Sequence, residues 1–537
     1  MRLLAIIIAN TCLGELHMAG QRAHRVGSTT GSRTNRPGQA VSRKHHAPPM
    51  RTDRTDAKVE PRVSGANAAL EPEDSTPGRA AKVLLVLIIA SAFGPYLFPG
   101  ITTVQVVIYP ISLFTFVLVM AHRIKLSAAI FVILAASLVV FSIAVIALVT
   151  PGSNTSPWPY GNSLANADAL LLPMCTLAAV AALAGSWPSL ETPLNVVAST
   201  MTVAMVVNAA IAVLQLLRHS PSLVETWFWG TGGTGERSLT VGRYTGIFSQ
   251  PSLAGIAYSL GCLSAIYALR RRPVLQALIL STLIFAGTLT ASKVFLLIGL
   301  PISLFFFMYS SRKRFAYFLV LVTLASPVIG SRLAEWKGFT RLAALLPGSP
   351  DWFKTVTGNR YGADSSTQPL ITAILHDHPL SGYGLAGLDR STDTTYVFIL
   401  SLAGALGLAA VVVQMLALIA GYWNRRKGLQ SIEQVFLATL LIVMLASTFG
   451  ANALHGNRVS VLVWAIAGLL LIQTLRRPSQ VAYGQRARSR RVSSKNRSRD
   501  LSMEPSGRDR DLEFADRMHA GGVGLREPAA QTSVYPN

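Results

Sequence analysis

The sequence predicts an all-α, polytopic integral membrane protein with about twelve transmembrane helices and one large external loop, on three observations. The chain of 537 residues is 51% hydrophobic and only 14% charged, with a mean hydropathy of +0.43, whereas soluble domains carry about 25% charged residues. Stretches of about twenty apolar residues, the length that crosses a hydrocarbon layer, recur from residue 81 to residue 475. Between two of them lies a segment of roughly sixty residues, Ser331 to Asp393, which carries most of the polar residues near the spans.

Taken in order, the spans fall near 81–98, 101–121, 127–149, 167–186, 193–217, 250–268, 273–290, 294–311, 315–330, 395–421, 431–453 and 459–475. The first two, and the seventh and eighth, are the pairs most open to recounting. Residues 1–80 hold twelve Lys/Arg against seven Asp/Glu, and residues 476–537 hold thirteen against seven. Both tails are rich in Gly, Ser, Pro and Arg with no apolar period, so they are expected to be disordered and solvated. Much of the net charge of +23 lies there, which removes the case for a nucleic-acid surface. The run Arg486–Arg499 suits anionic lipid headgroups or plain solvation. The apolar run Leu3–Ala9 is short for a signal-peptide core, none is expected, and a start at Met18 or Met50 stays open. Cys12, Cys175 and Cys262 are far apart, so neither a disulfide framework nor a zinc site is expected.

Cytoplasmic connections are enriched in Lys and Arg. His122–Lys125, Arg270–Arg272, Arg312–Arg314 and Asn424–Lys427 alternate with connections lacking that enrichment, which places both termini and both tails in the cytoplasm. The loops 151–167, 218–249 and 331–393 then lie outside. Within the last, Leu333, Trp336, Phe339, Leu342 and Leu346 recur every three to four residues, as in an interfacial helix. Asp364–Gln368 ahead of Pro369, with Leu370, Ile371, Ile374 and Leu375 following, predicts a second short helix ending near His376–Pro379. Gly382, Gly384 and Gly387 then read as a flexible turn back to the membrane.

Charges beside a span are costly unless they serve a water-filled cavity, so the outer span ends are where chemistry is expected. Arg243 lies in Gly242–Ser252, Lys293 in Thr290–Lys293, and Arg360 in the large loop. These three cations are candidates to converge on one anionic group, since guanidinium forks suit phosphate oxygens. Each also has a plain structural reading: headgroup contact for Arg243, a loop ion pair with Asp364 for Arg360, an N-cap for Asp393, a turn hydrogen bond for His378. His455 and Arg458, also outside, have no clear role by sequence.

Residues 81–475 resemble the O-antigen ligase and Wzy-type polymerase superfamily of bacterial polysaccharide membrane enzymes. The resemblance rests on the span plan, the Arg-x-x-Gly-x-Phe segment Arg243–Phe248, the pair Ser292-Lys293, and Arg360 ahead of His378-Pro379-Leu380-Ser381-Gly382-Tyr383-Gly384. Two departures stand out. Lys293 replaces the family's Arg, and in the ligase frame of His, then Asn, Ser or Gln, nine residues, Gly, two residues and Gly, Thr or Tyr, this chain has Asp393-Thr394, then Gly404 and Gly407. Asp for His weighs against a ligase and toward a polymerase or other exopolysaccharide transferase.

The resemblance implies a glycosyltransferase-C-like fold in a bacterial inner membrane. It implies metal-independent transfer, with no cofactor, from a polyprenyl-diphosphate-linked glycan to an acceptor glycan or glycolipid. Arg243, Lys293 and Arg360 would bind the diphosphate, Asp393 or His378 would act as base, and Tyr396 is the acceptor-side candidate. A twelve-span secondary transporter or lipid-linked-sugar flippase is the rival reading, and an idle relative that binds lipid-linked glycan is a third.

Overall fold

In the computed structural model, which describes residues 76–98, 100–121, 126–150, 162–187, 189–217, 224–229, 234–334, 352, 365, 367–387, 394–426, 429–455 and 458–472, each apolar stretch is helical. Contacts divide the chain into Met1–Glu71 and Pro72–Asn537, and every described residue belongs to the second unit. Nearly all of both basic tails, the interfacial pattern beyond Ala334, Arg360 and Asp393 lie outside the described residues.

The helices in chain order are α1 (Thr76–Ser91), α2 (Thr103–Met120), α3 (Ala128–Val149), α4 (Ser163–Ala184), α5 (Glu191–Leu216), α6 (Thr234–Thr240), α7 (Pro251–Ala268) and α8 (Pro273–Leu289). They continue with α9 (Leu300–Ser310), α10 (Arg312–Ala334), α11 (Gln368–Asp377), α12 (Thr395–Arg425), α13 (Ser431–Gly450) and α14 (Arg458–Leu471). Wide π turns occupy Glu225–Trp229 and Phe295–Gly299. Local chemistry sets several starts. Ser127 accepts the Ile130 amide, Asn162 accepts those of Leu164 and Ala165, and Pro251, Pro273 and Pro369 occupy first-turn positions whose missing N–H costs nothing.

Among the described residues, α2, α3, α4, α5, α7, α12 and α13 are long and apolar enough to cross a membrane, and α8, the Phe295–Ser310 helix and α14 are shorter apolar helices. Large side chains such as Leu113, Phe116, Leu138 and Ile146 face outward from α2 and α3. In water such a belt would aggregate, so these helices mark a membrane-embedded protein. The interior belongs to α7 and α14. All fourteen residues of α14 are buried, as expected for helices that are apolar all round. α7 is rich in small residues, and Gly261 lets the Met205 side chain of α5 approach closely. Polar ties are few but placed between helices, as where Gln414 of α12 donates to Ser137 Oγ of α3 at 2.9 Å.

Two boundaries differ from the sequence reading. The first span ends at Ser91, because Gly94-Pro95 leads into a small antiparallel hairpin, β1 (Tyr96–Phe98) with β2 (Ile101–Thr102). Thr103 anchors it with both its amide and its hydroxyl on the Pro95 carbonyl, at 3.0 and 2.7 Å. Residues 331–334 continue α10 instead of opening the large loop.

Asp168 of α4 accepts from Tyr109 Oη at 2.5 Å and Gln105 Nε2 at 2.8 Å, both on α2. A half-buried carboxylate thus locks the outward-facing α2 to the more buried α4. Tyr109→Phe is expected to lower stability by about 1.5 kcal/mol, the low end for bonds to charged groups, read as a fall in the unfolding midpoint of the purified protein. An unchanged midpoint would show that the tie contributes nothing.

Candidate functional site

Charged and polar side chains collect at the two ends of the helices. At one end Arg270 pairs with Glu191 at 2.7 Å and bonds Asn195, its guanidinium lying 4.4 Å from the Tyr267 ring centre. Arg314 donates to the Arg270 carbonyl and to Gln276, and Arg425 to the Leu469 carbonyl. Three helix ends are fastened by these cations, whose described partners are all internal.

The opposite end is built differently. The segment from Gly242 to Gln250 is irregular backbone packed on the ends of α5, α7 and α8, where its polar groups need protein partners because lipid offers none. Two side chains from inside α5 supply them. Gln215 clamps Gly246, its Nε2 donating to the carbonyl and its Oε1 accepting from the amide, both at 2.9 Å. Asn208 accepts from the Ile247 amide at 2.8 Å and donates to Tyr258 Oη of α7 at 3.0 Å. Trp229 Nε1 adds a bond to the Gly246 carbonyl at 3.1 Å. Arg243, half-buried, is held by its amide on the Ser238 carbonyl at the end of α6.

The Tyr244 amide donates to the Leu289 carbonyl at 3.1 Å, and Tyr244 packs against Leu289 and Ala291. The segment bearing Arg243 therefore abuts the turn bearing Lys293. That turn is strained, since Ala291 has φ of 47°, a left-handed value a residue with a Cβ adopts only when its surroundings impose it. Ser292 is buried against Gly255 of α7, Lys293 is half-buried, and the Phe295–Gly299 π turn follows at once. Strained turns and π turns recur at functional sites.

The connection from α13 to α14 closes this end. Thr395 Oγ1 of α12 donates to the Ala451 carbonyl, the His455 ring lies 6.0 Å from that of Phe398, and Arg458 donates to the Ile247 carbonyl at 3.2 Å. Burial pushes the His455 imidazole down to about 3, so it is neutral.

His378 lies elsewhere. The run from His378 to Gly384 is a hydrogen-bonded wedge, exposed at Pro379 and Leu380 and buried from Gly382 to Gly384, and not the flexible turn expected from its glycines. Gly382 donates to the His378 carbonyl, Tyr383 to that of Ser401, Leu385 to that of Ala144 on α3, and Ala405 to that of Pro379. The wedge enters α12 where that helix breaks, at Gly404 with φ of 60° and ψ of −155°. A side chain on Gly404 would overlap the Leu380 carbonyl, and one on Gly382 would come within 2.7 Å of the Leu400 and Ser401 carbonyl oxygens. The two glycine motifs are thus one junction.

Around it, Tyr383 Oη donates to Asp377 at 3.0 Å, and His376 Nδ1 lies 2.8 Å from the same carboxyl group. The bond from His376, then that from Tyr383, holds the Asp377 carboxyl below its usual range, while burial and Asp377 push the Tyr383 phenol up to about 12. His378 is half-buried with its ring edge-on to Tyr383 at 5.4 Å. Tyr396, half-buried, packs against the small core of Leu370, Ile374, Tyr383, Val397 and Leu400. An open hollow of about 660 Å³ borders α11 between Gln368 and Asp377, and neither Arg243 nor Lys293 lines it.

The structure therefore brings together the segments of Arg243 and Lys293, keeps His378 and Tyr396 in the α11–α12 cluster, and describes neither Arg360 nor Asp393. To the first group it adds Asn208, Gln215, His455 and Arg458. Asn208 and Gln215 were readable as polar residues seven apart on one face of an apolar span, the usual mark of an internal role. Among the described residues no three His, Cys, Asp or Glu side chains gather as a metal set. Compared with known proteins, the chain matches no protein-family model and no curated sequence.

Proposed function

We propose that the protein is a polytopic membrane glycosyltransferase of the O-antigen ligase and polymerase type, glycosyltransferase-C-like, with twelve spans and both termini cytoplasmic. It transfers or polymerises polyprenyl-diphosphate-linked oligosaccharide units at the outer face of a bacterial inner membrane. The observation that carries this reading is the abutment of the Arg243 segment on the Lys293 turn, at the end of the helices opposite the Arg270, Arg314 and Arg425 fastenings. Two of the resemblance's motifs meet there, and two others, at 378–384 and 404–407, meet at the α12 break.

The chemistry follows from charge. The acceptor oxygen bonds to the anomeric carbon, the bond from that carbon to the diphosphate breaks, and its electron pair stays on the phosphate oxygen. Arg243, Lys293 and Arg360 would stabilise that charge, and in a site that excludes water one well-aimed donor is worth about a hundredfold or more in rate. Asp393 stands in the motif position of the base, at the entrance to α12.

Deleting the gene and examining surface polysaccharide by gel tests the reading. The null strain is expected to lose polymer or accumulate single repeat units. Complementation with Arg243→Ala, Arg360→Ala or Asp393→Ala is expected to fail while the variants insert at wild-type levels. Normal chain length from all three variants would overturn the site, and repeat units trapped on the cytoplasmic side would show a flippase instead.

A further inference from the structure

The α13–α14 connection carries polar groups that the reading above leaves unused. His455 is 4% exposed, and its Nδ1 has no hydrogen-bond partner among the described residues. Arg458, 3% exposed, follows on the first turn of α14, its guanidinium carbon 5.3 Å from both the Tyr96 and Phe228 ring centres. Asn452 Oδ1 on the same connection, and Ser292 Oγ and Thr394 Oγ1 on adjoining segments, are also buried and without partners among the described residues.

These segments touch one another. Thr395 bonds the Ala451 carbonyl at 3.3 Å, and Gly450 is packed against Val294, beside Lys293. Buried polar atoms are nearly always satisfied, and leaving one unsatisfied is costly. Four on three abutting segments, beside a buried guanidinium, point to a ligand rich in hydroxyl and anionic oxygens.

We propose that this connection is the acceptor half of the site, where Nδ1 of His455, in place of Asp393, receives the acceptor hydroxyl's proton and the Arg458 guanidinium pairs with an anionic oxygen of the donor diphosphate. The proposal rests on the glycosyl-transfer reading. The acceptor oxygen bonds to the anomeric carbon, the bond from that carbon to the diphosphate breaks with its electron pair on phosphate, and the proton ends on His455. His455 is neutral and so able to accept, and an arriving dianion raises its proton affinity. The planar fork of Arg458 reaches an oxygen while keeping its bond to Ile247.

The full-length protein in lipid nanodiscs is titrated with a polyprenyl diphosphate and with the polyprenyl alcohol of equal length. Wild type is expected to prefer the diphosphate. Arg458→Gln is expected to lose tenfold or more of that affinity with alcohol binding unchanged, and Arg458→Lys to lose less, which keeps the comparison available should the Gln variant not fold. His455→Asn keeps an acceptor near the Nδ1 position, so it is expected to bind the diphosphate like wild type yet restore no polymer in the deletion strain. If wild type prefers the diphosphate while the Arg458 variants bind equally well and His455→Asn restores polymer, this inference is overturned and the glycosyl-transfer reading stands. If wild type shows no preference, the reading itself fails, and the inference with it.

Discussion

Gly404→Ala is expected to destabilise the protein by about 3 kcal/mol or more, seen as a large fall in the unfolding midpoint and in monodisperse yield. Its φ of 60° with ψ of −155° falls where only glycine is at ease, so any Cβ adds about 1–3 kcal/mol of backbone strain. The Cβ would also overlap the Leu380 carbonyl, and the wedge can only withdraw by giving up the bonds of Tyr383 to Ser401 and of Ala405 to Pro379. The neighbouring Ala405→Gly, on an exposed position, is expected to cost about 1 kcal/mol, the ordinary helix penalty. Equal behaviour of the two variants would show that the wedge does not depend on the α12 break.

Gln215→Leu is expected to have the second largest effect, about 1–3 kcal/mol, because it strands the buried Gly246 amide and leaves the Gly246 carbonyl with Trp229 as its partner. The loss should be local. Protease sites in the Gly242–Gln250 segment and hydrogen exchange of the Gly246 amide should rise before global unfolding, while α2 and α3 stay protected. The proposed transfer activity should fall with the loosened segment, since Arg243 depends on it for position. Gln215→Glu keeps an acceptor for the amide but faces the carbonyl with an oxygen, so it is expected to rescue less than half of the lost stability. Unchanged protection at Gly246 in Gln215→Leu would mean that the clamp is not what holds the Arg243 segment.

The span pattern was legible because it depends on length and apolar content alone, and α2, α3, α4, α5, α7, α12 and α13 appear where the apolar stretches stand. The helix from Gln368 to Asp377 was legible for the same kind of reason, a proline at its first turn and apolar spacing at three and four. The hairpin at Tyr96–Thr102 was not, because its strands are too short for a period of two to show. The glycines at 382 and 384 read as freedom in the sequence but serve close approach in the structure. Glycine permits close approach as readily as flexibility, and only the partner surface says which applies.

For the candidate site the division is similar. Arg243, Lys293 and His378 stand out by charge or motif in the sequence, but whether they meet is a question about residues 50 to 135 positions apart. Residue type and spacing by themselves determined that this chain is built of apolar helices suited to a membrane, and which polar residues at the span ends to suspect. The tertiary structure alone decided that the segments of Arg243 and Lys293 abut while His378 and Tyr396 gather at the break in α12, and that His455 and Arg458 close the first group. The physical reason is that helix formation and membrane burial are local properties of composition and period. Convergence depends on which backbone groups, left unpaired at the helix ends, find Asn208, Gln215 and Arg458 as partners.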